Sequence, residues 1–441
     1  PSLLDKPIAY TNLGPAKIPT VLITGNKTSY ANQWAITVIL SKVFSSDVFW
    51  IDHLLVFVLW SVFMPLLFYQ IGLFLRPGDK LFATLLSAAT LLFYFLQSVG
   101  SFTVPYSFGH IFFVYCLMVL IGLARSRVKH AGYVILMLTA MLYLNYILAL
   151  VLWILLLVVL SLQQLLVKFK IYRYVAFRIV TTVLMTCLVI IVIPSLDIAY
   201  GKIFHLNYEI KPNSVTLPYI GQTIKERLVN FSGINYFSTV PVSAQGTYPS
   251  NSPSINFLIN IAIVAFLLIG LLTNRGNATN RTLTIFIVGI FIVLYINSNF
   301  FQNGPRPLSN RLDLDFFIFS LPAIALGIEK IYTHVLRQRV VGAQVMALIL
   351  ALILVINHST NPTERMVTTS EVRAMESVFA DIDRRGISDN YCVISDTWPL
   401  LAMQAVSADK IVGGGFPMYT DFAQPERVEI QEGLFKKPDI K

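Results

Sequence analysis

Long apolar segments recur along the chain from about residue 50 to residue 356, and short polar stretches separate them. An apolar run of about 20 residues can cross the hydrocarbon core of a bilayer as a helix. The pattern therefore predicts a mainly α protein, a polytopic transmembrane helical bundle of about ten spans. The predicted spans are Trp50–Leu75, Leu81–Ser98, His110–Ala124, Ala131–Leu144, Tyr146–Val167, Tyr174–Pro194, Ile255–Leu272, Thr282–Ile296, Phe316–Ile331 and Val340–Ile356.

The fourth and fifth segments are separated by very little polar sequence. The stretch from Ala131 to Val167 admits either one long tilted helix or two helices that meet around Asn145. A single helix of that length would measure about 55 Å, which is far more than a bilayer needs. Two helices are therefore predicted.

Basic residues are concentrated in every second polar stretch. The chain of 441 residues is 56% hydrophobic and 13% charged, with a net charge of +10. The positive-inside rule places basic loops on the cytoplasmic side, beside anionic lipid, so the charge is interpreted in that way and not as a nucleic-acid-binding surface. The basic stretches follow spans one, three, five, seven and nine, and contain Arg76 and Lys80; Arg125, Arg127 and Lys129; Lys168, Lys170, Arg173 and Arg178; Arg275 and Arg281; and Lys330, Arg337 and Arg339.

The other polar stretches are then external, which gives three parts to the chain. Residues 1–49 are predicted to form an external loop, residues 50–356 a transmembrane domain with a long external loop at 195–254, and residues 357–441 an external α/β tail. A chain that starts outside needs a cleaved signal or a further upstream span. We expect the span, so the chain is expected to lack its first transmembrane helix.

The external N-terminal stretch ends in an amphipathic segment. Residues Ala31–Ser45 alternate loosely between apolar and polar side chains, which predicts a helix lying on the membrane surface. The alternative is that this segment extends the first span. Ser45, Ser46 and Asp47 favour a break between the two.

The tail reads as a small α/β appendage. Thr368 and Glu371 form a capping box that opens a helix, and Gly386 is predicted to end it. One face of this helix would carry Val372, Met375, Phe379 and Ile382. The elements predicted after it are a strand at Tyr391–Ser395, a second helix near Pro399–Ser407 and a strand at Lys410–Val412.

The loop before the ninth span carries the sharpest local chemistry. It contains Arg306 and Arg311, followed by Asp313 and Asp315 at the start of the helix. Guanidinium groups bind phosphate oxygens bidentately, so an arginine at the membrane interface suits a lipid phosphate. The alternative is structural: the carboxylates cap the helix and pair with the arginines.

The long external loop combines basic and aromatic residues. Lys202 and His205 are candidates for contacts with substrate, and neighbouring Tyr and Phe faces suit sugar rings as well as the membrane interface. A loop of this length without evident elements is usually functional. An isolated histidine such as His205 is, however, more often structural or solvated than catalytic.

Three external carboxylates precede or begin the first span. Asp5 and Asp52, with His53 beside Asp52, are candidates for a base that removes a proton from a hydroxyl. Asp47 reads as the N-cap of the span. The span interiors hold almost no ionisable residues, which argues against an ion pump or a proton-coupled transporter.

Taken in order, these features resemble the GT-C class of integral membrane glycosyltransferases, the group that includes protein mannosyltransferases and the bacterial aminoarabinose and mannosyl transferases. The resemblance consists of an external N-terminal region with a surface helix, helices joined by short turns, a long external loop before the last four spans, an external loop with Arg306 and Arg311, and an external α/β tail. It spans most of the chain.

The resemblance implies inverting transfer of a sugar from a polyprenyl phosphate to a hydroxyl of a glycan, lipid or protein, on the outer face of the cell membrane. An acidic residue of the first external loop would be the base, which points to Asp5. Arg, Lys or a divalent metal ion would stabilise the departing phosphate; residues 1–49 contain no Asp-x-Asp or Glu-x-Asp. The alternatives are a transporter or flippase for lipid-linked sugars, and an O-antigen polymerase or ligase.

Overall fold

The computed structural model of the protein is mainly helical and divides into two compact units. It describes residues 10–13, 16–19, 25–46, 48–92, 96, 99–100, 105–125, 131–169, 175–203, 253–273, 278–297, 308–336, 369–386, 402–403 and 406. The first unit comprises Pro1–Asp197, Ile210–Gln302 and Arg306–Asn361, and the second comprises Ile198–Glu209, Asn303–Pro305 and Pro362–Lys441.

A short antiparallel hairpin and a series of helices make up the described part of the first unit. Strand β1 (Tyr10–Leu13) pairs with β2 (Ala16–Pro19). A π-helical turn, Ile292–Asn297, continues α9, and a 3₁₀ turn, Ser309–Arg311, precedes α10. The helices are α1 (Gly25–Phe44), α2 (Val48–Leu75), α3 (Lys80–Ala89), α4 (Pro105–Arg125), α5 (Ala131–Asn145), α6 (Ile147–Lys168), α7 (Val175–Ile203, whose last turns belong to the second unit), α8 (Pro253–Thr273), α9 (Ala278–Phe291) and α10 (Asp313–Ile331).

Four helices in the described part of the chain are long and apolar enough to cross a membrane. Their neighbours include shorter apolar helices such as α3 and α5. The finer prediction of about ten spans stays a prediction, because Val340–Ile356 lies outside the described residues. The four candidate spans are Trp50–Leu75, Tyr106–Ala124, Ala149–Lys168 and Phe177–Ala199.

The outward faces of these helices are themselves apolar. Leu66 on α2, Met137 on α5 and Leu184 on α7 expose 58%, 74% and 62% of their surface. In water such extended apolar faces would drive aggregation, whereas lipid tails cover them without cost. The exposed faces therefore agree with the membrane character that the hydropathy pattern predicts.

The second predicted span is wrong as a single helix. It was expected over Leu81–Ser98, but α3 ends at Ala89 and is followed by a turn. The amides of Thr90, Leu91 and Leu92 donate to carbonyls three residues back, which tightens the chain out of α-helical geometry. The Thr90 hydroxyl adds a bond to the Ser87 carbonyl.

Two further predicted helix ends, at Asn145 and at Pro194, have different outcomes. The break near Asn145 is confirmed, since α5 ends there and Tyr146 adopts an extended conformation before α6 begins. The predicted end at Pro194 is wrong, because α7 continues through it to Ile203. A proline removes only one helical hydrogen bond, and long apolar helices tolerate it when their neighbours stabilise the chain.

Helix α10 lies at the centre of the first unit. It packs against α3, α8 and α9, and it is buried from Asp313 to Leu321 and from Ala323 to Ile328. Two glycines allow α8 and α10 to approach closely: a Cβ atom on Gly270 would collide with the carbonyl of Ala323, and one on Gly327 with the carbonyl of Phe266. Small residues at such crossings are typical of helices packed within membranes.

Helix α1 covers the predicted surface helix and begins earlier, at Gly25. Its polar residues Gln33 and Thr37 are buried, while Ile39 and Val43 are 58% and 68% exposed. Ser45 follows the helix with a φ of 50°, in the left-handed region, and α2 starts three residues later. The chain therefore breaks between α1 and α2, and α1 does not extend the first span.

The described part of the second unit contains helix α11 (Thr369–Arg384). The four apolar residues predicted to share a face are all partly buried, and most residues between them are exposed. Gly386 follows the helix with a φ of 57°, so the predicted glycine end is confirmed. The predicted strands at Tyr391–Ser395 and Lys410–Val412 lie outside the described residues, as does Thr368 of the capping box.

Candidate functional site

Polar side chains, most of them buried, gather in the first turns of α4 and α10, in the turn before α10, where α5 meets α6, and in the part of α7 that belongs to the first unit. Hydrogen bonds between these elements bring the positions together at one end of α10. We call the group the polar cluster. Its members are Tyr106, His110, Tyr146, Asp197, Ser309, Arg311 and Asp315.

An imidazole–carboxylate pair joins the first turns of α4 and α10. The Nε2 atom of His110 lies 3.1 Å from Oδ1 of Asp315, and neither side chain is exposed to solvent. The Nδ1 atom of His110 lies 2.7 Å from the carbonyl oxygen of Tyr106. Because a carbonyl only accepts, Nδ1 carries a hydrogen. A single proton is then shared between Nε2 and Oδ1, so the pair as a whole is neutral.

The second oxygen of Asp315 is left open by this arrangement. Its Oδ2 atom is buried and has no hydrogen-bond partner among the residues that the structure describes. Buried polar atoms are nearly always paired, and an exception calls for a donor that completes it or for a function. His110 has no further nitrogen to offer, since both are engaged. The open acceptor of the pair is therefore Asp315 Oδ2.

Two tyrosine rings flank His110. The centroid of the Tyr106 ring lies 4.4 Å from that of His110 in an edge-on arrangement, and the Tyr146 ring lies 5.7 Å away. The two tyrosine rings are 5.5 Å apart. Aromatic contacts of this kind favour a fixed ring orientation. The imidazole is thus held by hydrogen bonds along its edge and by rings at its sides.

The turn before α10 is anchored by a buried aspartate. The Oδ1 atom of Asp197 accepts the amide of Leu308 at 2.8 Å, and Oδ2 accepts the amide of Ser309 at 3.1 Å and also its hydroxyl. Asp197 is fully buried. Charge-assisted bonds to successive backbone amides hold a turn more firmly than neutral bonds do.

The same turn is fastened at its other end by tyrosines. The Tyr106 hydroxyl donates to the carbonyl of Arg311 at 3.0 Å. The guanidinium of Arg311 reaches the Tyr146 hydroxyl at 3.5 Å, and the side chain is exposed. Side chains from α4, from α7 and from the α5–α6 junction therefore fix Leu308–Arg311, and this turn presents one exposed cation.

The structural alternative for the two aspartates of α10 is corrected in part. Leu312, not an aspartate, occupies the N-cap position of α10, so Asp313 and Asp315 lie inside the first turn. Asp315 pairs with His110 and not with an arginine. The helix starts earlier than the predicted Phe316, at Asp313, and acidic side chains in a first turn interact favourably with the helix dipole.

The remaining predicted site residues are not brought into the polar cluster by any described contact. Asp52 lies in α2, where its carboxylate accepts a bond of 3.3 Å from the Thr37 hydroxyl of α1. The backbones of His53 and Lys202 lie in α2 and α7, but their side chains are outside the described set. The predicted residues Asp5, His205 and Arg306, and the predicted N-cap Asp47, lie wholly outside the described residues.

Five members of the polar cluster were missed by sequence reasoning: Tyr106, His110, Tyr146, Asp197 and Ser309. Two of them carried a usable signal. His110 and Asp197 are ionisable residues at the edges of apolar segments, and such residues mark functional or paired positions by default. Their partners stand more than 100 positions away in the chain, so local sequence patterns could not supply the pairing.

The opposite end of α10 also carries charged groups. The Arg76 guanidinium lies 2.5 Å from Glu329 and 3.4 Å from Asp79, which also caps α3. The same guanidinium stacks over the Phe82 ring at 4.7 Å. A cavity of about 30 Å³ adjoins these residues. Helix rise separates Glu329 from Asp315 by about 21 Å, so the two groups form distinct sites.

Comparisons with protein-family models, with curated proteins and with solved structures found no match for the chain. Within the described ranges, no three His, Cys, Asp or Glu side chains are grouped so as to hold a metal ion. The polar cluster is therefore the feature of the molecule that bears on its function.

Proposed function

We propose that the protein is a membrane glycosyltransferase that moves a sugar, with inversion, from a polyprenyl phosphate to an acceptor hydroxyl. The observation that carries the proposal is the anchored turn Leu308–Arg311. Three separate parts of the bundle hold this turn in place, and its exposed group is a guanidinium. A membrane-embedded bundle with a fixed guanidinium at one end suits an amphiphilic phosphate.

Phosphate chemistry explains why an arginine would serve here. A guanidinium offers paired donors that match two phosphate oxygens, and it stays charged at every physiological pH. In sugar transfer the phosphate leaves with a negative charge, so a prepositioned cation stabilises the transition state more than the bound donor. The bonds to Asp197 and Tyr106 reduce the reorganisation that this would otherwise require.

The location of the cluster fits the predicted topology. The residues that meet there, Tyr106, Tyr146, Asp197 and Arg311, all lie in or beside stretches that the charge pattern assigns to the external side. Arg76 and Glu329 meet at the other end, which the pattern assigns to the cytoplasm. The contacts thus group the stretches in the way that the alternation of charges predicts, which supports an external active site.

The depth of the ionisable pair favours an enzyme over a transporter. His110 is the sixth residue of α4 and Asp315 the third residue of α10, so both lie near helix ends. Groups that couple transport to an ion lie near the bilayer midplane. A pair near the helix ends lies closer to the level at which a polyprenyl phosphate would present its sugar than to the middle of the helices.

The phosphate role is tested by binding to the full chain in lipid nanodiscs. The probe is a short-chain polyprenyl phosphate without sugar. Replacing Arg311 by Ala removes a hydrogen bond to a charged group, worth about 1.5–3 kcal/mol, so affinity should fall tenfold to a hundredfold. Arg311→Lys should recover part of this affinity. Arg178→Ala, which removes an exposed arginine near the start of α7, is the matched control.

Transfer is then measured directly with short-chain polyprenyl phosphate glucose and mannose and an endogenous membrane acceptor fraction. Wild type should release polyprenyl phosphate, and Arg311→Ala should do so far more slowly. The proposal is wrong if wild type binds no polyprenyl phosphate, or if Arg311→Ala and Arg178→Ala bind it equally well.

A further inference from the structure

The geometry points to Asp315 as the proton acceptor for the incoming hydroxyl, with His110 holding its carboxylate in place. This inference rests on the proposed function and gives it a base. The observation behind it is the buried Oδ2 atom, which has no hydrogen-bond partner among the described residues, while Oδ1 of the same carboxylate is engaged by His110. A hydroxyl group is the donor that would complete it.

His110 itself is unsuited to take that proton. Its Nδ1 atom donates to the Tyr106 carbonyl and its Nε2 atom faces Asp315, so no lone pair is directed toward a substrate. This reverses the familiar hydrolase arrangement, in which a carboxylate orients a histidine and the histidine acts as base. Here the histidine orients a carboxylate, and the carboxylate retains the open acceptor.

The pairing also lowers the cost of burying a carboxylate. With the shared proton on Nε2, Asp315 is an anion hydrogen-bonded to an imidazolium, and their attraction offsets part of the cost of removing both from water. The lone pairs of Oδ2 stay available in this form. Proton acceptance by Oδ2 then leaves a protonated Asp315 beside the imidazolium.

The two working groups lie at the same end of α10. Arg311 ends the 3₁₀ turn before the helix, and Asp315 lies in the first helical turn four residues later. Asp315 is fully buried, so a hydroxyl reaches Oδ2 only when a neighbouring ring moves. Tyr106 and Tyr146, which pack against His110 and contact Arg311, are placed to couple that movement to phosphate binding. Catalytic contacts commonly tighten only when substrate is bound.

The step balances with groups already present. The acceptor O–H bond breaks and its proton passes to Asp315 Oδ2. The acceptor oxygen forms a bond to the anomeric carbon of the sugar while the bond from that carbon to the phosphate oxygen breaks. The phosphate leaves with the electron pair, next to Arg311, and the sugar inverts its configuration.

The test separates catalysis from donor binding. Asp315→Asn preserves the shape of the side chain, and its amide can still donate to His110 Nε2. General base catalysis contributes about 10²- to 10⁴-fold, so the single-turnover transfer rate should fall at least a hundredfold. Affinity for short-chain polyprenyl phosphate should stay within about twofold of wild type, because Arg311 is untouched.

Asp313→Asn is the matched control, since it removes a carboxylate from the same turn. Residues two apart on a helix point in directions about 200° apart, so Asp313 does not share the Asp315 position at His110. This variant should keep the wild-type transfer rate. As a second measurement, formate added to Asp315→Ala should restore part of the lost rate by supplying a small carboxylate.

Three outcomes would overturn the inference. The first is undiminished transfer by Asp315→Asn. The second is a parallel loss of donor affinity and transfer in that variant, which means a structural role. The third is the absence of formate rescue in a folded Asp315→Ala variant. In each case wild type still transfers sugar, so the proposed function stands; if wild type itself binds no polyprenyl phosphate, the proposed function has failed instead.

Discussion

The two ends of α10 each carry a carboxylate paired with a cation-forming residue of another helix, yet the two pairs differ in surroundings. Glu329 meets Arg76 at 2.5 Å, with Arg76 35% exposed and Glu329 13% exposed. Asp315 meets His110 at 3.1 Å with both side chains completely buried. Solvent screens the first pair and not the second.

The two ends also differ in whether their polar groups are all paired. Arg76 engages Glu329, Asp79 and the ring of Phe82, so this end forms a self-contained clamp between α2, α3 and α10. At the other end one carboxylate oxygen has no partner among the described residues, and the anchored turn just before the helix carries an exposed guanidinium. The paired groups of the clamp have a structural role that accounts for them. A buried acceptor oxygen without a described partner is instead accounted for by a ligand that donates to it.

Breaking the buried pair should have the largest effect. His110→Leu leaves Asp315 as an unpaired buried carboxylate, and removing one partner of a buried pair costs about 3–5 kcal/mol. The double variant His110→Leu/Asp315→Leu should regain most of this stability, because apolar residues often replace a buried pair without loss. Thermal unfolding in nanodiscs measures both. Equal destabilisation by the single and double variants would contradict the pairing.

A smaller effect is expected from loosening the anchored turn. Asp197→Asn replaces one acceptor oxygen by an amide nitrogen, so at least one amide of Leu308 or Ser309 loses its partner. The cost should be about 1–3 kcal/mol, and affinity for short-chain polyprenyl phosphate should fall with it. Asp383→Asn, an exposed carboxylate of α11, serves as control. Unchanged affinity would show that the turn does not position Arg311.

The smallest effect is expected at the clamp. Glu329→Gln keeps a hydrogen bond to Arg76 and removes a charge from a partly exposed pair, which is worth about 0.2–1 kcal/mol. Added salt should shrink even this difference, and transfer should match wild type. A loss of transfer comparable with that of Asp315→Asn would erase the distinction between the two ends.

Hydropathy predicted the helices whose ends are marked by polar residues. The start of α2, the break at Asn145 and the end of α6 all follow from such marks. The end of α3 does not, because Leu81–Ser98 contains no charged residue, glycine or proline that would mark a break, and the helix is stopped by i to i−3 bonds at Thr90. Pro194 led to the opposite error: the span was predicted to end there, but α7 continues through it.

Sequence analysis identified Arg311 and Asp315 of the site but not the residues that contact them. Arg311 could be found because a guanidinium beside an apolar segment has few uses other than a phosphate or a carboxylate. Asp315 was found as a candidate with the wrong partner. His110 stands 205 positions earlier, and the pairing depends on how α4 and α10 pack. Tertiary packing of this kind has no local signature, so the structure was needed to join the two.

The central position of α10 has a consequence for how the protein is made. Its first turn contains two carboxylates, and charged residues oppose the entry of a lone helix into the lipid phase. One side of α10 is suited to close packing against α8, since Gly270 and Gly327 let the two backbones approach each other. We therefore expect α10 to leave the translocon together with earlier helices. His110 of α4 is then already in the membrane when Asp315 enters, so the pair that forms the site also favours a particular order of helix insertion.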